Sequence, residues 1–357
     1  MSKSSEEKIE GYKKFWNREE VKRPLIGYDV GGYHPFKRFK AMKKLKERKY
    51  LLPELLNPDE YINDYQDFYL ESTGVDDDLI KGVTPIPAIP WMEAMLDCPV
   101  EISGESIWAK ERKASWDELD GISLAYDNNW FLKYLEFLEV LVENADGEYP
   151  VGPPILRGIT DLIGALRGHT EALIDCMENP DKIRELALCS AEAFIKVNKK
   201  QYEVIKPFHG GYFVEQFSVW APDKIVRMQN DATAVYSPKL YKDLIQKYDR
   251  MIAVSFPYTL IHLHSSSLFL LDYFLEIDEI NLFEINKDVG GMVLNEMVPY
   301  LKKVQANERC LLIRGKLTKD DLKLIKESLS PVGLCLQIVK ENAAEAKEHL
   351  NIVNKIF

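Results

Sequence analysis

Tyr258-Thr-Leu-Ile-His262-Leu-His264, Ile280-Asn-Leu-Phe-Glu284-Ile285, Cys310-Leu-Leu-Ile-Arg314 and Gly333-Leu-Cys335-Leu-Gln-Ile-Val339 decide the fold. Each is a short apolar run, and longer segments with helical spacing separate one from the next. Such alternation is how βα units build a parallel sheet. Working outward towards the N-terminus, the same reading gives strands near Leu79–Pro85, Tyr149–Leu156, Gly211–Glu215 and Ile225–Asp231, beginning at about residue 78. Eight strands in all predict an α/β chain forming a (β/α)8 TIM barrel.

Asn57-Pro58-Asp59, Asn179-Pro180, Ala221-Pro222-Asp223 and Ser237-Pro238 put proline where the first turn of a helix tolerates it. Trp130–Val142 carries Phe131, Tyr134, Leu135, Leu138 and Leu141 on one helical face, a packing stripe. Residues 1–75 read as an N-terminal helical extension with no linker behind them. The expectation is therefore one domain over 1–357, with the barrel at 76–357.

Forty-six basic against fifty-seven acidic side chains give a net charge of −11, which repels nucleic-acid phosphates and anionic membranes. The basic run from Lys37 to Lys49 reads as a solvated helix face or as a local anion site. Five cysteines, odd in number and without a C-x-x-C pair, argue against a disulfide framework or a zinc ribbon and fit a reducing compartment. The first residues lack a signal peptide's apolar core, and no apolar run nears the roughly 20 residues a bilayer requires. These features predict a cytoplasmic protein with a small-molecule substrate and neither nucleic-acid nor membrane partners. Gly210-Gly211 and Gly290-Gly291 match no G-x-G-x-x-G or P-loop pattern, so no nucleotide is expected.

Barrel enzymes carry their chemistry at the C-terminal ends of strands. The polar residues there are Asp161, Glu215, Gln216, Gln229, Asp231, His262, His264, Glu284, Asn286, Arg314 and Lys316. His262 and His264 lie two apart on a strand, so both imidazoles face the same way. An adjacent strand ending in Glu284 would bring a carboxylate near them, and Cys335 or Cys310 could add a thiolate. Imidazole, carboxylate and thiolate are all zinc ligands, and catalytic zinc uses three protein ligands and keeps a fourth position open. The other reading has the histidines bonded to backbone, or binding substrate with no metal. Asp231 reads either as a group that holds substrate or acts as a base, or as a cap for the helix after Ser237-Pro238.

Leu156-Arg-Gly-Ile-Thr-Asp161-Leu-Ile-Gly-Ala-Leu-Arg-Gly168, Gln229-Asn-Asp231 with Ser237-Pro238, His262-Leu-His264 with Asp272 through Glu284, and Ile89-Pro-Trp91-Met-Glu93 resemble the uroporphyrinogen-decarboxylase-like superfamily. The resemblance runs over most of residues 20–357 and implies a (β/α)8 barrel. Decarboxylases of that superfamily bind a tetrapyrrole through arginines near a Gly-Arg-Tyr motif and use an aspartate. Here the comparable element is Tyr28-Asp-Val-Gly-Gly-Tyr33, and the aspartate position falls on Ala88 and the late histidine near Val339. Those departures count against tetrapyrrole decarboxylation, which would need other cations such as Arg157, Arg167 or Arg314.

The other branch moves methyl groups between a corrinoid protein and a thiol, with zinc on a His-x-Cys pair and a later Cys. His262-Leu-His264 resembles that pair with a histidine exchanged for the cysteine, and Glu284 resembles the glutamate of related zinc methyltransferases. The resemblance thus implies a corrinoid-linked, zinc-dependent methyltransferase or demethylase. Its metal ligands would be His262, His264 and Glu284, with Cys335 as a further donor. Asp231 and His264 would be catalytic, and Asp161, Gln229 and Tyr33 would contact substrate. A tetrapyrrole decarboxylase and a barrel that only binds a ligand are the rival readings.

Overall fold

The computed structural model describes residues 3–32 and 34–357. At its centre lies a parallel sheet of six strands in the order Leu25–Val30, Leu334–Lys340, Cys310–Gly315, Leu282–Lys287, Tyr258–His264 and Ile225–Gln229. Five of these correspond to strands read from the sequence, and the α/β class stands.

Three expected strands turn out differently. Residues 79–85 and 149–156 contribute one parallel bridge, Val83 to Val151, instead of full strands. Pro85 ends the first, with Pro87 and Pro90 just beyond it, and Pro150, Pro153 and Pro154 punctuate the second, so neither can donate a continuous ladder. Gly211–Glu215 becomes Tyr212–Val214, paired antiparallel with Val219–Ala221 in a small hairpin. Because Pro222 joins that hairpin to Ile225–Gln229, it sits in a turn and opens no helix. The helix starts at Pro180 and Pro238 are as expected, and Asn129–Ala145 buries the predicted stripe.

The sixth strand, Leu25–Val30, lies inside the stretch read as a helical extension. It is parallel to the last strand, with Leu25 opposite Cys335 and Val30 opposite Lys340. Side chains satisfy its other edge. The N–H of Ile26 donates to Asp78 Oδ2 (2.9 Å) and that of Tyr28 to Asp77 Oδ2 (2.8 Å), while Lys81 Nζ donates to the Tyr28 carbonyl (2.7 Å). Only one backbone bond joins the segments here, from Asp78 N to Ile26 O (3.0 Å). Lys81 is itself paired with Asp77 (2.9 Å), so these nearly buried charges offset one another.

Alternation along the strands divides the chemistry. One face, with Ile261, Leu263, Phe283, Ile285 and Ile313, packs under the helices in the main core. The other face begins with Leu260, Leu282, Leu312 and Cys335, sealed by Ile9, Tyr12 and Phe15 of the helix Ser5–Trp16 and by Trp220 of the hairpin. Further along the same face the residues become polar: Arg227, Gln229, His262, Glu284 and Gln337, all buried. Among the described residues no helix is long and apolar enough to cross a membrane.

Gly27 sits where the first strand presses on 77–79. A β-carbon there would lie 2.4 Å from Leu79 Cγ and 2.7 Å from Asp77 Oδ2. Gly27→Ala is expected to cost about 1–3 kcal/mol, read as a lowered urea midpoint with an unchanged m-value. An unchanged midpoint would mean that this contact yields without strain.

Candidate metal centre

The strand Tyr258–His264 carries both imidazoles on the polar face, His262 buried and His264 about one-third exposed. Their Nε2 atoms face each other at 3.2 Å, with the rings nearly perpendicular at 80°. Each Nδ1 is taken by a carboxylate. Glu284 Oε2 lies against Nδ1 of His262, and Asp288 Oδ1 lies 2.7 Å from Nδ1 of His264. Ladder register brings Glu284 to His262 directly, since the two are opposed across neighbouring strands.

Those carboxylates assign the tautomers, because each must accept an N–H from the ring it touches. Both Nε2 atoms are then left as lone-pair donors pointing at one another. Asp231 Oδ1 stands 3.6 Å from Nε2 of His264, and the ligating atoms of Asp231, His262 and His264 all lie within 4.8 Å of one another. Two imidazole lone pairs and a carboxylate cannot converge like this without a proton or a cation between them. The surrounding charge leans the same way. Asp231, Glu284 and Asp288 bring three carboxylates to two imidazoles, and the second oxygen of Glu284, fully buried, has no hydrogen-bond partner. A divalent cation on two histidines and an aspartate, with one position open, fits this donor set.

Asp231 is held by its own scaffold. Its backbone N–H and that of Ala232 donate to Asp161 (2.9 and 3.0 Å), and the Gln229 amide donates to its Oδ2. Arg227 in turn donates to Gln229. Burial and then the charge of Asp231 push the Asp161 carboxyl up to about 7, against the pull of Arg157 and the two backbone donors. Asn230, next along, donates to Asp249 (2.8 Å), which also accepts from Tyr241 (2.8 Å). No side chain fits at Gly158, whose β-carbon would lie 2.5 Å from the Gln229 carbonyl.

The Nδ1 hydrogen bond to Asp288 raises the His264 pKa, ahead of the lowering by burial; the charges of Asp231, Asp288 and Glu284 raise it further. Burial tends to raise the Asp288 carboxyl, but the bonds from His264, Asn286 and the Ser265 N–H outweigh it and hold Asp288 well below the usual carboxylate range.

Two expected ligands stand elsewhere. Glu284 lies behind His262 as its hydrogen-bond partner, and the carboxylate that joins the histidines is Asp231. Cys335 is no ligand: it faces the sealed apolar floor with Cys310 and Tyr12, where burial pushes its thiol far up. Asp161 and Gln229 position Asp231 from behind. Tyr33 lies outside the described residues. The arginines proposed for a polycarboxylate substrate are each engaged by an acid of the chain: Arg157 by Glu93 (3.0 Å), Arg167 by Asp175 (2.7 Å) and Arg314 by Asp29 (2.6 Å). Sequence reading passed over Asp288 and Phe217, whose ring stacks on His262 at 5.6 Å. The clue to Asp288 is its place two residues beyond Asn286, which is opposite His264 in the ladder.

No family model and no curated protein matches the chain. Several solved structures do resemble it. A methyltransferase from Methanosarcina mazei superposes with a TM-score of 0.64 over 96% of each chain, at 10% identity. A putative dehydratase from Mesorhizobium loti matches at 9% identity and TM-score 0.41 over 91% of this chain and 57% of that one. A mannanase from Bacillus subtilis matches at 9% identity and TM-score 0.39 over 98% and 91%. At such identity the first shows a common fold, and the other two superpose too loosely to carry argument.

Burial also pushes the Asp249 carboxyl up to about 7 from 3.8, against the donors Tyr241 and Asn230. An acid raised on folding adds stability that is complete below its unfolded pKa and is lost as pH rises through the folded one. Urea titrations should therefore show the wild type losing stability between pH 4 and 7 relative to Asp249→Asn. A gap independent of pH would mean that Asp249 is ionised throughout.

Proposed function

We propose that the chain is a zinc-dependent enzyme of methyl transfer, working with a corrinoid carried on a separate protein. One observation carries the reading: the Nε2 atoms of His262 and His264 converge with Asp231 on a single point while carboxylates hold both Nδ1 atoms. The common fold with a methyltransferase and the resemblance of His262-Leu-His264 to a zinc-binding pair support the reaction class.

A closed (β/α)8 barrel belongs to the same proposal. The bond from Asp78 N to Ile26 O, the Val83–Val151 bridge and the bond from Gly158 N to Gln229 O (2.7 Å) support it, because they link one edge strand of the sheet to the other.

When bound, zinc would lower the pKa of a coordinated thiol or water, so that it reacts as an anion near neutral pH. His262, His264 and Asp231 would hold it. Glu284 and Asp288 retain the Nδ1 protons and so keep both Nε2 lone pairs directed inward. Gln229 and Asp161 fix the carboxylate of Asp231, and Phe217 shields one face of His262 from water. His264, the more exposed of the pair, faces the side from which substrate and corrinoid would approach.

Plasma mass spectrometry of untagged protein purified without chelator should find near-stoichiometric zinc, lost in His262→Ala/His264→Ala. A folded chain that takes up no metal even from added zinc would overturn the reading. Glu284→Gln, which leaves the inner ligands intact, should weaken zinc about 10–100-fold in competition with a chromophoric chelator. Unaltered affinity would show that the buried carboxylate does not set the His262 tautomer.

A further inference from the structure

On the strand Ile225–Gln229, Arg227 and Gln229 lie on the polar face, and Asp231 follows two residues later, just past the strand end. The buried Arg227 guanidinium donates through Nη2 to Gln229 Oε1, and the Gln229 amide nitrogen donates to Asp231 Oδ2. A guanidinium only donates and an ionised carboxylate only accepts, so the amide between them can stand just one way round. Its N–H therefore occupies Oδ2, while Oδ1 faces Nε2 of His264 at 3.6 Å. The two oxygens of one carboxylate are given separate tasks.

The same guanidinium braces a second ligand. Its Cζ lies 5.1 Å over the ring of Phe217, which stacks on His262. Across the ladder Gln229 stands opposite His262, and His262 opposite Glu284, so brace, ligand and supporting carboxylate form one row.

Asp288 shows what a different dressing does. Its Oδ1 accepts from the Asn286 amide and lies against Nδ1 of His264, and its Oδ2 accepts the Ser265 N–H and hydroxyl, both at 3.1 Å. An arginine orients that amide too, Arg314 donating to Asn286 Oδ1 at 3.4 Å. With both oxygens taken, Asp288 stays behind its imidazole. Asp231 gives Oδ2 to the amide and keeps Oδ1 for the centre.

We infer that Arg227 is a positioning residue of the centre: through Gln229 it holds Asp231 to a single ligating oxygen and so sets the choice of metal. One carboxylate oxygen and two imidazole nitrogens are the three-ligand set of catalytic zinc, with the fourth position left for substrate. A carboxylate released to turn could offer both oxygens, and an oxygen-richer site of higher coordination suits manganese or magnesium. The inference rests on the metal reading proposed above, and its test separates the two.

Cobalt(II), put in place of zinc, absorbs strongly in the visible when four-coordinate and weakly when six-coordinate, so its spectrum reports the ligand count. The wild type should give the strong spectrum. Arg227→Met, and Gln229→Leu, which leaves Arg227 on Phe217 and serves should Arg227→Met not fold, should give the weak one. In competition with a chromophoric chelator, both should lose at least about tenfold of the wild-type preference for zinc over manganese. Arg227→Lys keeps a cation that can donate to Gln229 and should retain spectrum and preference. A weak spectrum in the wild type, or a wild-type spectrum and preference in either variant, overturns the inference; a structural role alone would lower stability and move neither. Crystals of the metal-free proteins give a second reading, in which the Asp231 carboxylate should turn in Gln229→Leu. A wild type that takes up no metal, with Asp231 turned in that variant, would sink the metal reading and keep the positioning. Metal uptake with spectrum and Asp231 unchanged in the variants would sink the positioning alone.

Discussion

The contact between Glu284 and His262 governs the polar half of the interior. A fully buried carboxylate is expensive unless something shares its charge. Placed opposite an imidazole in the ladder, it is stabilised by the Nδ1–H and at the same time dictates which nitrogen of that ring keeps its lone pair. Every other feature of the centre follows the direction so imposed: His264 meets the free nitrogen, Asp288 repeats the arrangement on the second ring, and Asp231 completes the group from the neighbouring strand.

The same economy of paired charge runs around the face. Arg314 meets Asp29, Lys81 meets Asp77, and Arg227 reaches Gln229, which reaches Asp231. Below this belt the face is apolar and sealed by the N-terminal helix. The C-terminal part of this face is therefore polar and paired, while its beginning is apolar, and this explains why Cys335 and His262 have such different surroundings on one surface.

How far the sequence discloses this depends on the physical range of each signal. Period-two placement of His262 and His264 is local to one strand and can be read directly. So can the apolar runs of the last four strands, whose continuity reflects burial on both sides. Leu25–Val30 escapes such reading because Gly27 and Asp29 interrupt its apolar pattern, and its edge is finished by aspartates some fifty residues away. The exchange of roles between Glu284 and Asp231 is equally hidden. Sequence shows that both are acids at strand ends, but only the register across strands tells which one stands beside the imidazole nitrogens and which behind them. Cys335 misleads for a related reason: strand membership says nothing about height above the floor.

The pairing of Leu25–Val30 with Leu334–Lys340 places residues 310 apart, Leu25 and Cys335, opposite each other in one ladder. During synthesis the early strand must wait for its partner until the segment that ends at Lys340 has left the ribosome. Such long-range closure is slow, and a bare strand edge invites pairing with a neighbouring chain. Because Asp77, Asp78 and Lys81 finish its other edge, the strand keeps a single edge that needs a partner strand.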